Sequence, residues 1–234
     1  MDLRPAAFLA SHPPFAAVDG RTRQLVASRC RSISRRSGEH LFLEGDACRD
    51  LFILVDGRIK CTRANPEGRE QILKVFDQPG DIFCVTSGFS SGSYIVTARA
   101  ASDVVLYAVD IETMKRAARD QPSLALALMT ATSEQMRSLV TLADDLSLKN
   151  ATARVAKLLC ERARTQGGGK PVRLSRATLR EEEIAALVGA VRVHVSRNLK
   201  TLAAMGAITL DRNSIRINDV KALEAFVHAV GPER

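Results

Sequence analysis

No apolar run in this 234-residue chain approaches the roughly 20 residues that a membrane-spanning helix requires. The opening Met1-Asp2-Leu3-Arg4-Pro5 leads into no signal-peptide apolar segment. A cytoplasmic protein away from any membrane is the expectation. Cysteine is sparse and scattered: Cys30, Cys48, Cys61, Cys84 and Cys160 form no C-x-x-C pair. An odd count argues against a disulfide framework, and the clustered Cys/His spacing of structural zinc is missing. No metal is expected, and the thiols read as small buried residues. Catalytic signatures are also lacking, with no Gly-rich phosphate loop, no G-x-S-x-G and no H-E-x-x-H. The carboxylates Glu181 to Glu183 sit at a helix start, where acidic side chains stabilise in any case. Ser196 and His194, two residues apart on a helix, point to different sides and cannot act as a catalytic pair. An enzyme is not expected.

What is present is an ordinary globular composition, 46% hydrophobic and 26% charged. The length suits two domains of roughly 100–150 residues each. The net charge of +8 is unevenly placed. Residues 1–149 hold 19 Lys/Arg against 18 Asp/Glu, whereas residues 150–234 hold 15 against 8. A cationic last third is expected of a domain that meets a polyanion, because neutralised phosphates release counterions.

From about residue 30 to residue 110 the chain reads as short strands between turn signals. Leu51-Phe52-Ile53-Leu54-Val55 is a strand, Asp56-Gly57 is the dipeptide of a tight hairpin, and Arg58 to Thr62 reads as its partner. Asn65-Pro66-Glu67-Gly68 and Pro79-Gly80-Asp81 mark further turns, with strands at Gln71 to Phe76 and Val104 to Val109. Such a series indicates an antiparallel sandwich or barrel, here preceded by short helices around residues 3–28. Pro122 then opens a helix of about 25 residues with no Gly or further Pro, carrying Leu124, Leu128, Met136, Leu139, Leu142 and Leu146. Its stripe can pack within one subunit or pair with the same helix of a second copy. A further helix, about 150–164, ends at Gly167-Gly168-Gly169.

Thr178-Leu179-Arg180-Glu181 fits the S/T-x-x-E capping box at a helix start. Gly189 ends that helix, and a second runs from Arg192 to about Ala204. Ile184, Ala185, Leu187, Val195, Leu199 and Leu202 give the pair a packing face, while Arg192, His194, Ser196, Arg197 and Lys200 form a polar, basic one. Two short helices around a glycine turn, the second basic, is the layout of a major-groove reader. Ile208 to Leu210 and Ser214 to Ile217 flank Asp211-Arg212-Asn213 as a small wing whose Arg212 can reach a phosphate, and Asp219 caps a last helix.

The sequence resembles the cyclic-AMP receptor / fumarate–nitrate reductase regulator family over nearly its whole length. The sensor carries the resemblance in Gly38-Glu39, Glu44-Gly45-Asp46, Leu51 to Gly57 and Gly80-Asp81-Ile82-Phe83; the reader carries it in Glu183-Ile184-Ala185, Gly189, Arg192, Val195-Ser196-Arg197 and Leu199 to Leu202. The resemblance implies an α+β chain. An antiparallel, cyclic-nucleotide-binding-like β-roll would span 1–119, a dimerisation helix and hinge 120–147, and a winged helix-turn-helix 148–234. It implies a homodimer on a palindromic site of double-stranded DNA, working with RNA polymerase. The implied contact residues are Arg192, Val193, His194, Ser196, Arg197 and Lys200, with Thr178 and Arg212 beside them. Arg197 is assigned the bidentate guanine contact; Arg192 reads equally as a base or a phosphate contact, and Lys200 is open to the phosphate reading. The family usually has glutamate where this chain has Val193, which offers only apolar contact, for instance to a thymine methyl.

Members that bind cyclic nucleotide follow the Gly-Asp/Glu stretch with Gly-Glu and an Arg-Ser or Arg-Thr pair. Here Cys84-Val85 follows, and Ser87 to Val96 contains no arginine. Cyclic AMP is therefore not the expected effector, since its phosphate charge would be buried uncompensated. The single Cys30 before the roll makes four-thiolate iron–sulfur ligation unavailable. Haem or gas sensing, a thiol switch at Cys84 or another cysteine, and no effector at all remain open. His40 beside Glu39 reads as a surface residue rather than a haem ligand. The effector pocket is placed on Phe83, Cys84, Val85, Tyr94 and Met129.

Overall fold

The computed structural model describes residues 4–90, 92–167, 172–177 and 179–229. Its contacts divide it into two compact units, one of residues 1–63 and 73–139, the other of residues 64–72 and 140–234.

The first unit opens with α1 (Pro5–Ser11), a single 3-10 turn (Phe15–Ala17) and α2 (Gly20–Arg29). Asp19 caps α2 by accepting from the Thr22 amide at 3.0 Å. Eight strands follow: β1 (Arg31–Arg35), β2 (His40–Phe42), β3 (Asp50–Asp56), β4 (Ile59–Ala64), β5 (Glu70–Phe76), β6 (Ile82–Phe83), β7 (Thr97–Ala100) and β8 (Val104–Asp110). The short α3 (Val85–Phe89) lies between β6 and β7. Two four-stranded sheets result, ordered β1-β8-β3-β6 and β2-β7-β4-β5.

The Leu51 to Val55 run is wholly apolar because both faces of its sheet are covered. Strand side chains alternate between faces. Leu51, Ile53 and Val55 join a core with the helical residues Phe8, Leu9, Val26, Met114, Leu124 and Leu128. Phe52 and Leu54 instead join the roll interior with Phe42, Ile59, Phe76 and Ala98. Register fixes this split, since β3 pairs with β8 through Leu51↔Val109, Phe52↔Ala108 and Ile53↔Tyr107. Inside the roll, five of the chain's ten aromatics form a column, with Tyr94–Phe42, Phe42–Phe52, Phe52–Phe83 and Phe83–Phe76 centroids at 3.7, 5.7, 5.4 and 4.9 Å.

One expected pairing is corrected. Arg58 to Thr62 does not partner Leu51 to Val55: β3 and β4 lie in different sheets, and β4 pairs with β5 and β7. Asp56-Gly57 is a corner between sheets, with Gly57 at φ 91°. A Cβ there would stand 2.2 Å from the Asp103 carbonyl oxygen, so both conformation and space demand glycine. The Asn65 to Gly68 turn does join two neighbouring strands, β4 and β5.

After β8 come α4 (Ile111–Asp120) and the long α5 (Pro122–Leu148). Leu124, Ala127, Leu128 and Ala131 bury one side of α5. Another side leaves Leu126, Met129 and Met136 60–65% exposed, with Val140 and Leu148 exposed further along.

The second unit contains α6 (Ala151–Gly167), β9 (Val172–Ser175), α7 (Glu181–Val188), α8 (Arg192–Ala204), β10 (Ile208–Leu210), β11 (Ser214–Ile217) and α9 (Val220–Ala229). A three-stranded sheet, β10-β11-β9, packs with the helices on Val155, Leu159, Ile184, Val195, Leu199, Leu202, Ile215 and Leu223. Asp219 caps α9, accepting from the Ala222 amide at 3.1 Å. Where α5 gives way to α6, Asp145 is hydrogen-bonded by both Lys149 and Lys157. Burial pushes its carboxyl up, but those two ammonium donors outweigh the push and hold it below its ordinary range.

Candidate nucleic-acid interface

The reader is built from α7 and α8. Gly189 adopts φ 63° at the end of α7, and a Cβ there would stand 2.5 Å from Leu146 Cδ2. That left-handed residue turns the chain sharply enough for α8 to begin three residues later. Carbonyls at the C-terminal end of α7 and at its cap, left unpaired by the helix, find side-chain donors. Arg154 Nε donates to Val188 O at 2.7 Å, Arg69 Nη2 to Gly189 O at 2.6 Å, and Gln71 Nε2 to Ala186 O at 2.9 Å. None of these three partners was expected from the sequence, because each lies 34 to 120 residues from the carbonyl it serves.

The helix start departs from the capping-box reading. Thr178 lies outside the described residues, and α7 begins at Glu181 with Arg180 as an N-cap that makes no side-chain bond. Glu181 therefore occupies the first helical position rather than the third. Its carboxylate instead accepts from Arg176 Nη2 at 2.8 Å and lies 3.8 Å from Arg192 Nε.

In α8, Val195, Asn198, Leu199 and Leu202 are buried. Of the packing residues expected, all are buried except Leu187, which packs partly buried against the same core. Thr152 on α6 donates to Asn198 Oδ1 at 2.9 Å and ties the two helices together. On the other side, Arg192, Val193, His194, Arg197 and Lys200 are exposed and Ser196 is half-buried. Arg192, the first residue of α8, is held 3.2 Å from Glu182. Arg197 and Lys200 make no ion pair among the described residues. Arg212 stands exposed at the tip of the β10–β11 turn, which Asp211 N closes onto Ser214 O at 2.9 Å. The exposed side of α8 thus presents one apolar and several cationic groups at a helix N-terminus, where unpaired amides add positive potential.

The sensor unit holds a cavity of about 180 Å³ lined by Leu73, Lys74, Phe76, Cys61, Phe83, Cys84, Ile95, Val96 and, from α5, Thr132, Gln135, Met136 and Leu139. Of the expected pocket residues it contains Phe83 and Cys84. Val85 is buried toward the helices, Tyr94 stands in the aromatic column with its hydroxyl donating to Asp50 O at 3.3 Å, and Met129 is exposed on α5. Cys84 sits at φ 71°, the one non-glycine with positive φ among the described residues. Burial pushes its thiol well up and lifts Cys61 to about 12. Burial also raises Cys30 to about 12, Cys160 to about 11, and Cys48. Thiols so held stay protonated and are weak nucleophiles. His40 is exposed on β2.

An antiparallel roll followed by a long helix and a winged helix-turn-helix defines a transcription regulator of the helix-turn-helix class. The family model for cyclic nucleotide-binding domains matches residues 33–121, and that for Crp-like helix-turn-helix domains matches residues 153–226. Over 212 residues the chain is 30% identical to the CRP-like cAMP-activated global transcriptional regulator of Mycobacterium tuberculosis, spanning 89% of this chain and 93% of that protein. It is 29% identical over 187 residues to the cyclic AMP receptor protein of Thermus thermophilus, spanning 80% and 83%. Among solved structures, a CRP/FNR regulator from Eubacterium rectale superposes with a TM-score of 0.78 over 93% of this chain and 99% of that one, at 22% identity. The chain belongs to the CRP/FNR family of transcription regulators. Its named relatives are regulators rather than enzymes, and no described helix is long and apolar enough to cross a membrane.

Proposed function

We propose that two copies of the chain pair through α5 and lay their α8 helices into successive major grooves of a palindromic operator. The regulator works in the cytoplasm alongside RNA polymerase. The observation that carries this reading is the division of α8 into a buried row, Val195, Leu199 and Leu202, and an exposed row holding Arg192, Val193, Arg197 and Lys200. Arg197 reads guanine O6 and N7, Val193 rests on a thymine methyl, and Arg192, Lys200 and Arg212 contact base edges or phosphates. His194 and Ser196 flank them, and Thr178 belongs to the same surface by sequence. Pairing is supported by the exposed Leu126, Met129 and Met136, apolar surface that a second α5 would cover.

The relatives named for cyclic AMP do not carry that effector over to this chain. Residues 84–96 contain no arginine. The one cationic group in the cavity lining, Lys74, donates to Ser138 Oγ at 3.0 Å. A cyclic phosphate buried there would lack the bidentate donors its charge requires. For haem the lining offers no histidine as an axial ligand, and burial holds its two thiols, Cys61 and Cys84, protonated, which disfavours thiolate ligation. Retardation of duplex DNA by the purified protein tests the reading. Affinity should fall by about a thousandfold or more between roughly 50 and 200 mM salt, as for any protein with several phosphate contacts. Retention that ignores salt would overturn it.

A further inference from the structure

We propose that the sensor cavity takes a compact, uncharged apolar molecule, about the size of one aromatic ring, as its ligand. The cavity measures about 180 Å³. A void of about 150 Å³ lined by Leu, Ile and Phe stays dry and binds benzene or xenon, whereas ligands of drug size occupy roughly 300–1,000 Å³. Its walls are of comparable chemistry, with Leu73, Phe76, Phe83 and Val96 inside and the part-exposed Ile95, Met136 and Leu139 around a mouth open to solvent.

The polar side chains in the lining are largely spent on the protein itself. Thr132 Oγ1 donates to Leu128 O at 2.9 Å, Gln135 Nε2 donates to Ile82 O at 2.7 Å, and Ser87 Oγ accepts from the Ile95 amide at 3.3 Å. The Lys74 ammonium faces Ser138 and also bears electrostatically on Asp81. What remains for a ligand is mainly hydrocarbon, the Thr86 hydroxyl and two protonated thiols, Cys61 and Cys84, which behave as small polarizable apolar groups. Cys84 is held there by a left-handed backbone, φ 71°, that residues other than glycine rarely adopt. The surrounding fold therefore determines the position of that wall.

An occupant would touch β5 through Leu73 and Phe76, the start of α3 through Cys84, and α5 through Met136 and Leu139. It would wedge the roll to the long helix. The consequence for DNA affinity rests on the regulator reading above; binding itself does not.

Toluene, octanoate and cyclic AMP, each titrated against the full-length protein and read by thermal melting, provide the test. Toluene should raise the melting temperature saturably, while octanoate and cyclic AMP should leave it unmoved. Val96→Phe, which fills the cavity, should abolish the toluene response. Should that variant fail to fold, crystals of the natural protein under xenon pressure should show xenon between Phe83 and Leu139. A melting temperature indifferent to toluene, a saturable response to octanoate or cyclic AMP, or an empty cavity under xenon would each overturn the proposal. None of these outcomes bears on whether the protein binds an operator, which DNA retardation reads separately.

Discussion

Replacing Arg197 with alanine removes the guanidinium assigned to guanine while leaving the fold in place. The side chain is exposed and makes no ion pair among the described residues, so no buried partner is orphaned. Alanine is also a good helix former, and stability should stay within about 0.5 kcal/mol of the natural protein. A bidentate guanine contact discriminates by about 1–3 kcal/mol, or roughly 5- to 150-fold per half-site. Two half-sites square the loss to roughly 30- to 20,000-fold for a dimer. Arg192→Ala should cost less, because Arg192 must first leave Glu182 at 3.2 Å and Glu181 at 3.8 Å. Equilibrium retardation on the operator and on a sequence-scrambled duplex measures both variants. Operator affinity for Arg197→Ala should fall toward that for scrambled DNA. An operator preference that survives undiminished, with melting unchanged, would refute the assignment.

Four further expectations follow from the same geometry. Val193→Glu restores an acceptor for a cytosine or adenine amino group, so selection from random duplexes should shift the preferred base at one position per half-site. Asp145→Asn removes the charge that Lys149 and Lys157 share and one of the two oxygens that accept from them, and should cost about 1–2 kcal/mol in chemical denaturation. Because the Asp145 pKa is lowered in the fold, its contribution is present above the ordinary carboxylate range and fades as pH falls through the folded value. The difference between natural protein and Asp145→Asn should therefore shrink in acid. Gly57→Ala should destabilise by more than about 1 kcal/mol, since its Cβ would meet the Asp103 carbonyl at 2.2 Å. With burial raising all five thiols, iodoacetamide near pH 8 should alkylate the native protein far more slowly than the denatured chain.

Local signals in the sequence carried most of the architecture. Pro122 opening α5, Gly189 ending α7 and Asp219 capping α9 act over one turn of chain, and each was readable where it stands. Asp56-Gly57 misled because a positive-φ glycine suits a sheet-to-sheet corner as well as a hairpin; only the β3–β8 ladder, pairing residues 49 to 60 apart, distinguishes them. Arg69, Gln71 and Arg154 could not be recognised as partners of the α7 carbonyls for the same reason. The two faces of α8 follow from helical periodicity, so its exposed residues were legible. The cavity was legible only in part: Phe83 and Cys84 follow from position in the roll, while Met136 rather than Met129 lines it because the two lie on the same side of α5 about 10 Å apart along its axis, and sequence does not show at which height the roll meets the helix.

Selection of bound duplexes from random sequence by the purified full-length protein, followed by footprinting, tests the central claim most directly. Two inverted half-sites should emerge, centred about 34 Å apart, one turn of the duplex, and protected together. Enrichment of a lone half-site, or of no sequence at all, would contradict the paired reading of α8.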